Sequence, residues 1–203
     1  MILDEYHIKN YLSYSQFKLF KQGEEAYRKV YLFGYHYRNK YTDFGSKVHE
    51  ALATRKSFDR DTKLALDILP KTQAGEVESY AKLNGVPLYG KLDGLNIFKR
   101  YYHIVEYKTG KNRWTQSKVD RDKQLLFYAI LISAGKKIPV EEVRLKLIWL
   151  ETFEDTDGSM HLTGKTETLR TSRNQDDIDK IAPEIKEVWK GIGKMMAESI
   201  KGR

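Results

Sequence analysis

Apolar residues recur at two spacings along the chain, and each spacing predicts a type of secondary structure. A spacing of three to four residues predicts helices at 15–31, 43–53, 59–69, 117–133 and 176–199. Alternating or continuous apolar runs predict strands at 76–83, 86–98, 101–107, 143–153 and 160–169. The turn pairs Asn84-Gly85 and Asp157-Gly158 separate strands, as expected of hairpins. The tyrosine-rich segment 31–41 is predicted to be a loop.

The order of these elements predicts an α/β fold with a mixed central sheet flanked by helices. A strand–helix–strand unit spans about 101–153, and a C-terminal hairpin and helix occupy 143–200. Pro183 is expected either to begin or to kink that last helix. No repeat, low-complexity segment or linker interrupts the chain, so we expect one domain over residues 1–203.

Composition describes a folded protein without covalent cross-links. A chain of 203 residues with 40% hydrophobic and 32% charged residues is typical of globular proteins. No apolar run approaches the ~20 residues of a membrane span, and the N-terminus lacks the pattern of a signal peptide. The absence of cysteine excludes disulfides and fits a reducing cytosol. We therefore expect no membrane partner and a cytoplasmic location.

Net charge favours a polyanionic partner. Lys and Arg number 36 against 28 Asp and Glu, which gives a net charge of +8 and favours nucleic acid through counterion release. Many of the basic residues lie in one part of the chain: Lys91, Lys99, Arg100, Lys108, Lys111, Arg113, Lys118, Arg121 and Lys123. Trp114 lies among them, where it would either stack on a base or cover the core.

Two carboxylates and a lysine are the candidate catalytic residues. Asp93 lies in one predicted strand, and Glu106 and Lys108 lie in the next. Strand side chains alternate between faces, so Glu106 and Lys108 point the same way, and Asp93 joins them if the strands pair. Two carboxylates suit a hard divalent ion such as Mg²⁺ or Mn²⁺. Taken alone, the pattern is more typical of a turn and a solvated strand face.

Three further motifs accompany these residues in a fixed order. Gly45-x-x-x-His49 precedes them on a predicted helix, and Gln124-x-x-x-Tyr128 follows on one face of another. The opening segment 12–20 is rich in Ser and aromatic residues and is followed by Tyr27. Together the motifs resemble the PD-(D/E)XK nuclease superfamily, specifically its RecB-type branch, which includes the CRISPR-associated adaptation exonucleases. The resemblance covers about residues 12–150 and implies a restriction-endonuclease-like sheet.

The resemblance also implies roles for the site residues. Asp93 and Glu106 would hold one or two Mg²⁺ or Mn²⁺ ions, with the main-chain carbonyl of Tyr107 and a ring nitrogen of His49 as further ligands. Lys108 would orient the attacking water or stabilise the developing charge.

A second set of residues is expected to contact the nucleic acid. In relatives, residues at the positions of Gln124 and Tyr128 contact the backbone or brace the catalytic lysine. Spacing alone fits a half-buried helix face nearly as well. Lys111, Arg113 and Lys118 directly follow the catalytic strand and are expected to lie along the phosphates.

One feature departs from many relatives, which carry an iron–sulfur cluster on four cysteines. Gly23 stands where the first of those cysteines would fall, and the chain has no cysteine at all. Thiolate ligation of a cluster is therefore impossible, and we expect a cluster-free member.

Three functions remain open from the sequence. The first is a metal-dependent DNA exonuclease acting on ends or single strands. The second is an endonuclease of the same fold that nicks a flap, branch or duplex, and the third is a nucleic-acid-binding protein without catalysis. The intact acidic residues and lysine argue against the third. A helicase or recombination protein would be a separate partner, and the resemblance implies a prokaryotic, phage or viral setting.

Overall fold

The computed structural model describes residues 9–35 and 38–201, with side chains described up to Ser199. Within these residues a six-stranded sheet is formed by β1 (Leu12–Ser13), β2 (Ala74–Leu83), β3 (Val86–Phe98), β4 (Tyr101–Gly110), β5 (Val143–Glu154) and β6 (Met160–Ser172). The described α-helices are α1 (Tyr14–Gln22), α2 (Glu24–Tyr27), α3 (Lys40–Thr54), α4 (Arg60–Ile68), α5 (Gln116–Asp120), α6 (Lys123–Lys136) and α7 (Gln175–Lys201).

The sheet is mixed, which confirms the predicted fold class. Its strands run in the order β1-β3-β4-β5-β6, and β2 pairs with β3. β1 is parallel to β3 and β4 is parallel to β5, whereas the other pairs are antiparallel. A parallel pair needs a crossover connection, and α5 and α6 supply it between β4 and β5.

The opening segment differs from the single helix expected over 15–31. The chain forms β1, then α1, α2 and a π-helix over Arg28–Leu32. Gly23 ends α1 with φ at 148°, a backbone conformation that residues with a side chain rarely adopt. The two-residue strand β1 is too short to show an alternating pattern. Residues 36 and 37, within the segment expected to be a loop, lie outside the described residues.

Two other predicted helices have different limits. The segment expected as one helix over 117–133 divides into α5 and α6, because Asp122 caps a new helix by accepting a hydrogen bond from Leu125 N. Pro183 lies inside α7 rather than at its start. Among the described residues no helix is both long and apolar enough to cross a bilayer.

Each face of the sheet carries its own hydrophobic core. On one face, α6 and α7 pack through residues such as Phe127, Ile130 and Ile185 against Leu145 and Leu147 of β5. On the other face, α3, α4 and the residue that follows α4 pack against Val105, Tyr107, Ile148 and Leu150 of the sheet. They contribute these buried residues to a separate core: Phe44, Val48, Leu52, Ala65 and Leu69. The central strands are therefore buried on both sides where the helices cover them.

Candidate active site

The candidate site lies where β3 and β4 separate. Their antiparallel pairing runs from Phe98 and Tyr101 to Gly94 and Val105 and ends there. Asp93 and Glu106 are the next residues along each strand. They therefore lie at the fork, the point where β3 and β4 diverge. β4 continues beyond the fork as a partner of β5, which holds the segment that follows rigidly in the sheet.

Asp93 is fixed from two sides. Its Oδ1 lies 3.0 Å from His49 Nδ1, and its Oδ2 accepts a hydrogen bond of 2.9 Å from the backbone N–H of Tyr107. Gly45 explains the spacing of the Gly-x-x-x-His motif. A Cβ there would lie 3.1 Å from Thr109 Oγ1, so glycine allows α3 to approach β4 closely. His49 follows one helical turn later and meets Asp93.

Glu106 is buried, and only one of its two carboxylate oxygens accepts hydrogen bonds from the described residues. It is 2% exposed, and its Oε1 accepts hydrogen bonds from Lys108 Nζ at 2.6 Å and from Gln124 Nε2 at 2.8 Å. Its Oε2 has no hydrogen-bond partner among the described residues. A buried carboxylate oxygen without a partner carries a desolvation cost, so this atom is an open position for a cation.

Gln124 links the charged residues to α6. Its Oε1 accepts a hydrogen bond from Lys108 Nζ at 2.8 Å, while its Nε2 donates to Glu106 and to the hydroxyl of Tyr128. Tyr128 in turn donates to the carbonyl of Lys91 at 3.0 Å. The two helix residues predicted from their spacing therefore converge on the lysine and the glutamate.

The pKa values of the two carboxyl groups are shifted in opposite directions. Burial, together with the charge of Asp93, raises the pKa of Glu106 to about 8, although Lys108 opposes the shift. Burial also opposes ionisation of Asp93, but the hydrogen bond and charge of His49 outweigh it and lower the Asp93 pKa. The pKa of Lys108 is raised, because the nearby carboxylates outweigh its burial. The pair therefore holds less negative charge than two free carboxylates would.

The donor set fits a hard divalent ion. No three described His, Cys, Asp and Glu side chains form a ready-made metal cage. Mg²⁺ does not require one, since it is commonly held by one or two carboxylates, waters and substrate oxygens. Glu106 Oε2 is free of hydrogen bonds, and Asp93 stands across the fork from it. His49 is engaged with Asp93 through Nδ1, so that hydrogen bond competes with ligation by the same atom.

A cleft of about 900 Å³ opens onto the site. His49, Lys108 and Gln124 line it. The lining also includes side chains that sequence reasoning did not assign to the site: Tyr14, Lys18, Tyr31 and Tyr41. The sequence signal that would have found them is the density of tyrosine in and after the opening helix, which motif matching passed over.

The basic residues predicted along the phosphates occupy different surroundings. Arg113 forms two hydrogen bonds with Glu167, and Lys118 Nζ lies 3.8 Å from the ring centre of Trp114. Trp114 itself packs against the core, while Lys111 is exposed. None of these four residues lines the large cleft, although Lys118 lines a neighbouring depression that shares Tyr14 with it.

A mixed sheet that separates at its centre to present two carboxylates and a lysine is the architecture of a restriction-endonuclease-like nuclease. The family model of the PD-(D/E)XK nuclease superfamily matches residues 64–202, and the chain belongs to that superfamily. Its members use divalent metal ions, typically Mg²⁺ or Mn²⁺. None of the curated proteins matches the chain in sequence.

Solved structures share the fold. A protein from Eubacterium rectale named "putative exonuclease" superposes with a TM-score of 0.53 at 13% identity, over 92% of this chain and 80% of its own. The structure of SSO0001 superposes with a TM-score of 0.50 at 14% identity, over 89% of this chain and 76% of its own. At these identities the likeness concerns the fold alone.

Proposed function

We propose that the protein is a Mg²⁺- or Mn²⁺-dependent DNA exonuclease of the RecB-type branch, a single domain that hydrolyses phosphodiester bonds at strand ends. The observation that carries this proposal is Glu106 Oε2, a buried carboxylate oxygen without a hydrogen-bond partner, next to Asp93 and Lys108. Such an arrangement costs stability unless a proton or a metal ion occupies the oxygen, and a protein that only binds nucleic acid does not need it.

Each residue has a definite task in this proposal. Asp93 and Glu106 would hold the ion, with His49 and the Tyr107 carbonyl as additional ligands. The bound ion lowers the pKa of water and neutralises phosphate charge. Lys108 orients the attacking water or stabilises the charge that develops on the phosphate. The family resemblance implies products with a 5′-phosphate and a 3′-hydroxyl.

The cleft favours a strand end over an intact duplex. Its volume of about 900 Å³ is in the range of small-ligand sites, which suits a few nucleotides at a strand end. The exposed ring of Tyr41 on its wall offers a surface for base stacking. The exonuclease name of one structural neighbour agrees with this choice.

Digestion of end-labelled linear and covalently closed circular DNA tests the proposal. We expect degradation of linear DNA with Mg²⁺ or Mn²⁺, none in chelator, and an untouched circle. Glu106→Gln, which keeps the shape of the side chain and removes its charge, should abolish cleavage. The matched control is Glu187→Gln on an exposed position of α7. Cleavage that persists in excess chelator would contradict the metal dependence, and rapid linearisation of the circle would instead support an endonuclease.

A further inference from the structure

One face of the sheet is apolar and buried along half the length of its strands, and basic and aromatic along the other half. On β5, Ile148 and Leu150 belong to the core beneath α3 and α4. Arg144 and Lys146 occupy the preceding positions of the same alternation. On β4 the same change occurs between Val105, which is buried in that core, and His103, which is only partly buried. The two helices therefore cover one half of this face, and the other half carries basic and aromatic residues.

On the half that α3 and α4 do not cover, three cations have no acidic partner among the described residues. Lys146 on β5 is directly opposite Arg170 on β6, and Arg144 lies two residues before Lys146. None of the three forms an ion pair with a carboxylate of the described chain. Like charges directly opposite each other destabilise a sheet, so the pairing of Lys146 with Arg170 costs stability unless an anion binds there.

Aromatic residues accompany these cations. The guanidinium of Arg144 lies 4.8 Å from the ring centre of Tyr101, and that ring lies 6.4 Å from the ring of His103. Phe98, the partner of Tyr101 across the β3–β4 turn, is 64% exposed. Burial lowers the pKa of His103, and the charges of Lys146 and Arg144 lower it further, which agrees with a positive local potential.

We propose that this basic sheet face, defined as Arg144, Lys146 and Arg170 with Phe98 beside them, binds single-stranded nucleic acid. The three cations would contact successive phosphates, and the exposed ring of Phe98 would stack on a base. Charge complementarity selects a polyanion, and an exposed ring on an open sheet is a means of holding unpaired bases.

The basic sheet face is separate from the candidate active site. Glu106 and Lys108 contact α6, whose side chains pack on the opposite face of the sheet. Tyr101 and His103 lie at the other end of β4, roughly 10–16 Å along the strand from Glu106 at ~3.3 Å per residue. The inference rests on the proposed function for its biological use, since a remote contact would keep a strand near the enzyme between cleavage events.

Binding of a fluorescein-labelled single-stranded DNA of about 12 nucleotides, followed by anisotropy in chelator, tests the inference. Chelator removes the divalent ion on which the proposed cleavage depends, so binding is measured without cleavage. Arg144→Gln, Lys146→Gln and Arg170→Gln together should weaken binding on the order of 10-fold to 100-fold at 0.1 M salt. The slope of log affinity against log salt should become shallower by about 2, at about 0.7 per phosphate contact.

The matched control removes the same charge from the other side of the molecule. Lys180→Gln, Lys186→Gln and Lys190→Gln together neutralise three exposed lysines of α7 and should change affinity by less than about threefold. Phe98→Ala should weaken single-strand binding while leaving the salt slope unchanged. Equal losses in both triple variants would overturn the inference, as would a loss confined to duplex DNA or an unchanged slope.

These outcomes are independent of cleavage. If the basic sheet face binds the oligonucleotide but no metal supports hydrolysis, the proposed function fails and the inference stands. If cleavage is metal-dependent but the triple variant at Arg144, Lys146 and Arg170 binds like the wild type, the inference fails and the function stands. Melting temperatures of all variants show whether the fold is intact, and we expect little change because the neutralised charges repel one another.

Discussion

Gln124→Ala tests most directly how the site holds its lysine. The substitution removes the acceptor of the 2.8 Å hydrogen bond from Lys108 and the donor to Glu106 Oε1. It leaves the carboxylates of Asp93 and Glu106 in place. If Gln124 acts by fixing Lys108, the loss should fall on turnover and not on metal affinity.

The expected magnitude follows from the bonds removed. A hydrogen bond to a charged group contributes about 1.5–3 kcal/mol, and each 1.36 kcal/mol in the barrier changes a rate tenfold. We therefore expect kcat to fall on the order of 10-fold to 100-fold, because the ammonium of Lys108 retains its bond to Glu106 but loses its fixed direction. Tyr128 should stay in place through its bond to the Lys91 carbonyl.

The assay combines single-turnover cleavage of a labelled linear DNA with calorimetric titration of Mn²⁺. Gln175→Ala, at an exposed glutamine of α7, is the control and should match the wild type in both measurements. Gln124→Glu adds a third carboxylate and should bind Mn²⁺ more tightly while it cleaves more slowly. A kcat within twofold of the wild type for Gln124→Ala, or a loss of Mn²⁺ binding in that variant, would refute the bracing role.

Three further outcomes are expected. Lys108→Ala should retain Mn²⁺ affinity and lose turnover, whereas Asp93→Ala should lose both. Calorimetric titration of Mn²⁺ and a cleavage assay measure the two effects. The reverse pattern would mean that the roles given to the two residues are wrong. Tyr27→Phe should lower the free energy of unfolding in urea by about 1–3 kcal/mol, because it leaves the buried Nε2 of Gln16 without its 3.1 Å partner; no change would mean that water replaces the hydroxyl. Asp59→Ala should cost about 1 kcal/mol at neutral pH through loss of the α4 cap. Burial opposes ionisation of Asp59, but hydrogen bonds from Lys47 and Thr62 lower its pKa from 3.8 to about 2. The stabilisation by Asp59 should therefore be complete above pH 4 and disappear towards pH 2. A stability difference between Asp59→Ala and the wild type that persists at pH 2 would contradict this cause.

The sequence predicts the strands well and the opening helices poorly, for physical reasons. Val86–Phe98 has the limits expected for β3, because its apolar run is bounded by clear turn residues. The helix expected over 15–31 fails at Gly23, since the periodicity of apolar residues continues past the break while the backbone does not. Periodicity reports which residues are buried, and it is insensitive to one glycine in an unusual conformation.

The sequence likewise predicts one part of the candidate site and not the other. Asp93, Glu106, Lys108, Gln124 and His49 do come together, because each motif places its side chain on a predictable face of a strand or helix. Their pairing was not predictable: the bond between His49 and Asp93 depends on how closely α3 approaches β4. The tyrosines of the cleft carry no motif, and their position depends on how α1, the π-helix and α3 pack together.

The fork between β3 and β4 has a consequence for folding kinetics. Asp93 and Glu106 belong to one hairpin whose two strands are joined by the short turn at Lys99 and Arg100. Contacts between residues close in sequence form with little loss of chain entropy. The two acids are therefore brought together as soon as this hairpin closes, while His49, 44 residues from Asp93, can join only when α3 docks. We expect φ-values near one at the β3–β4 turn and near zero at the contact between α3 and β4.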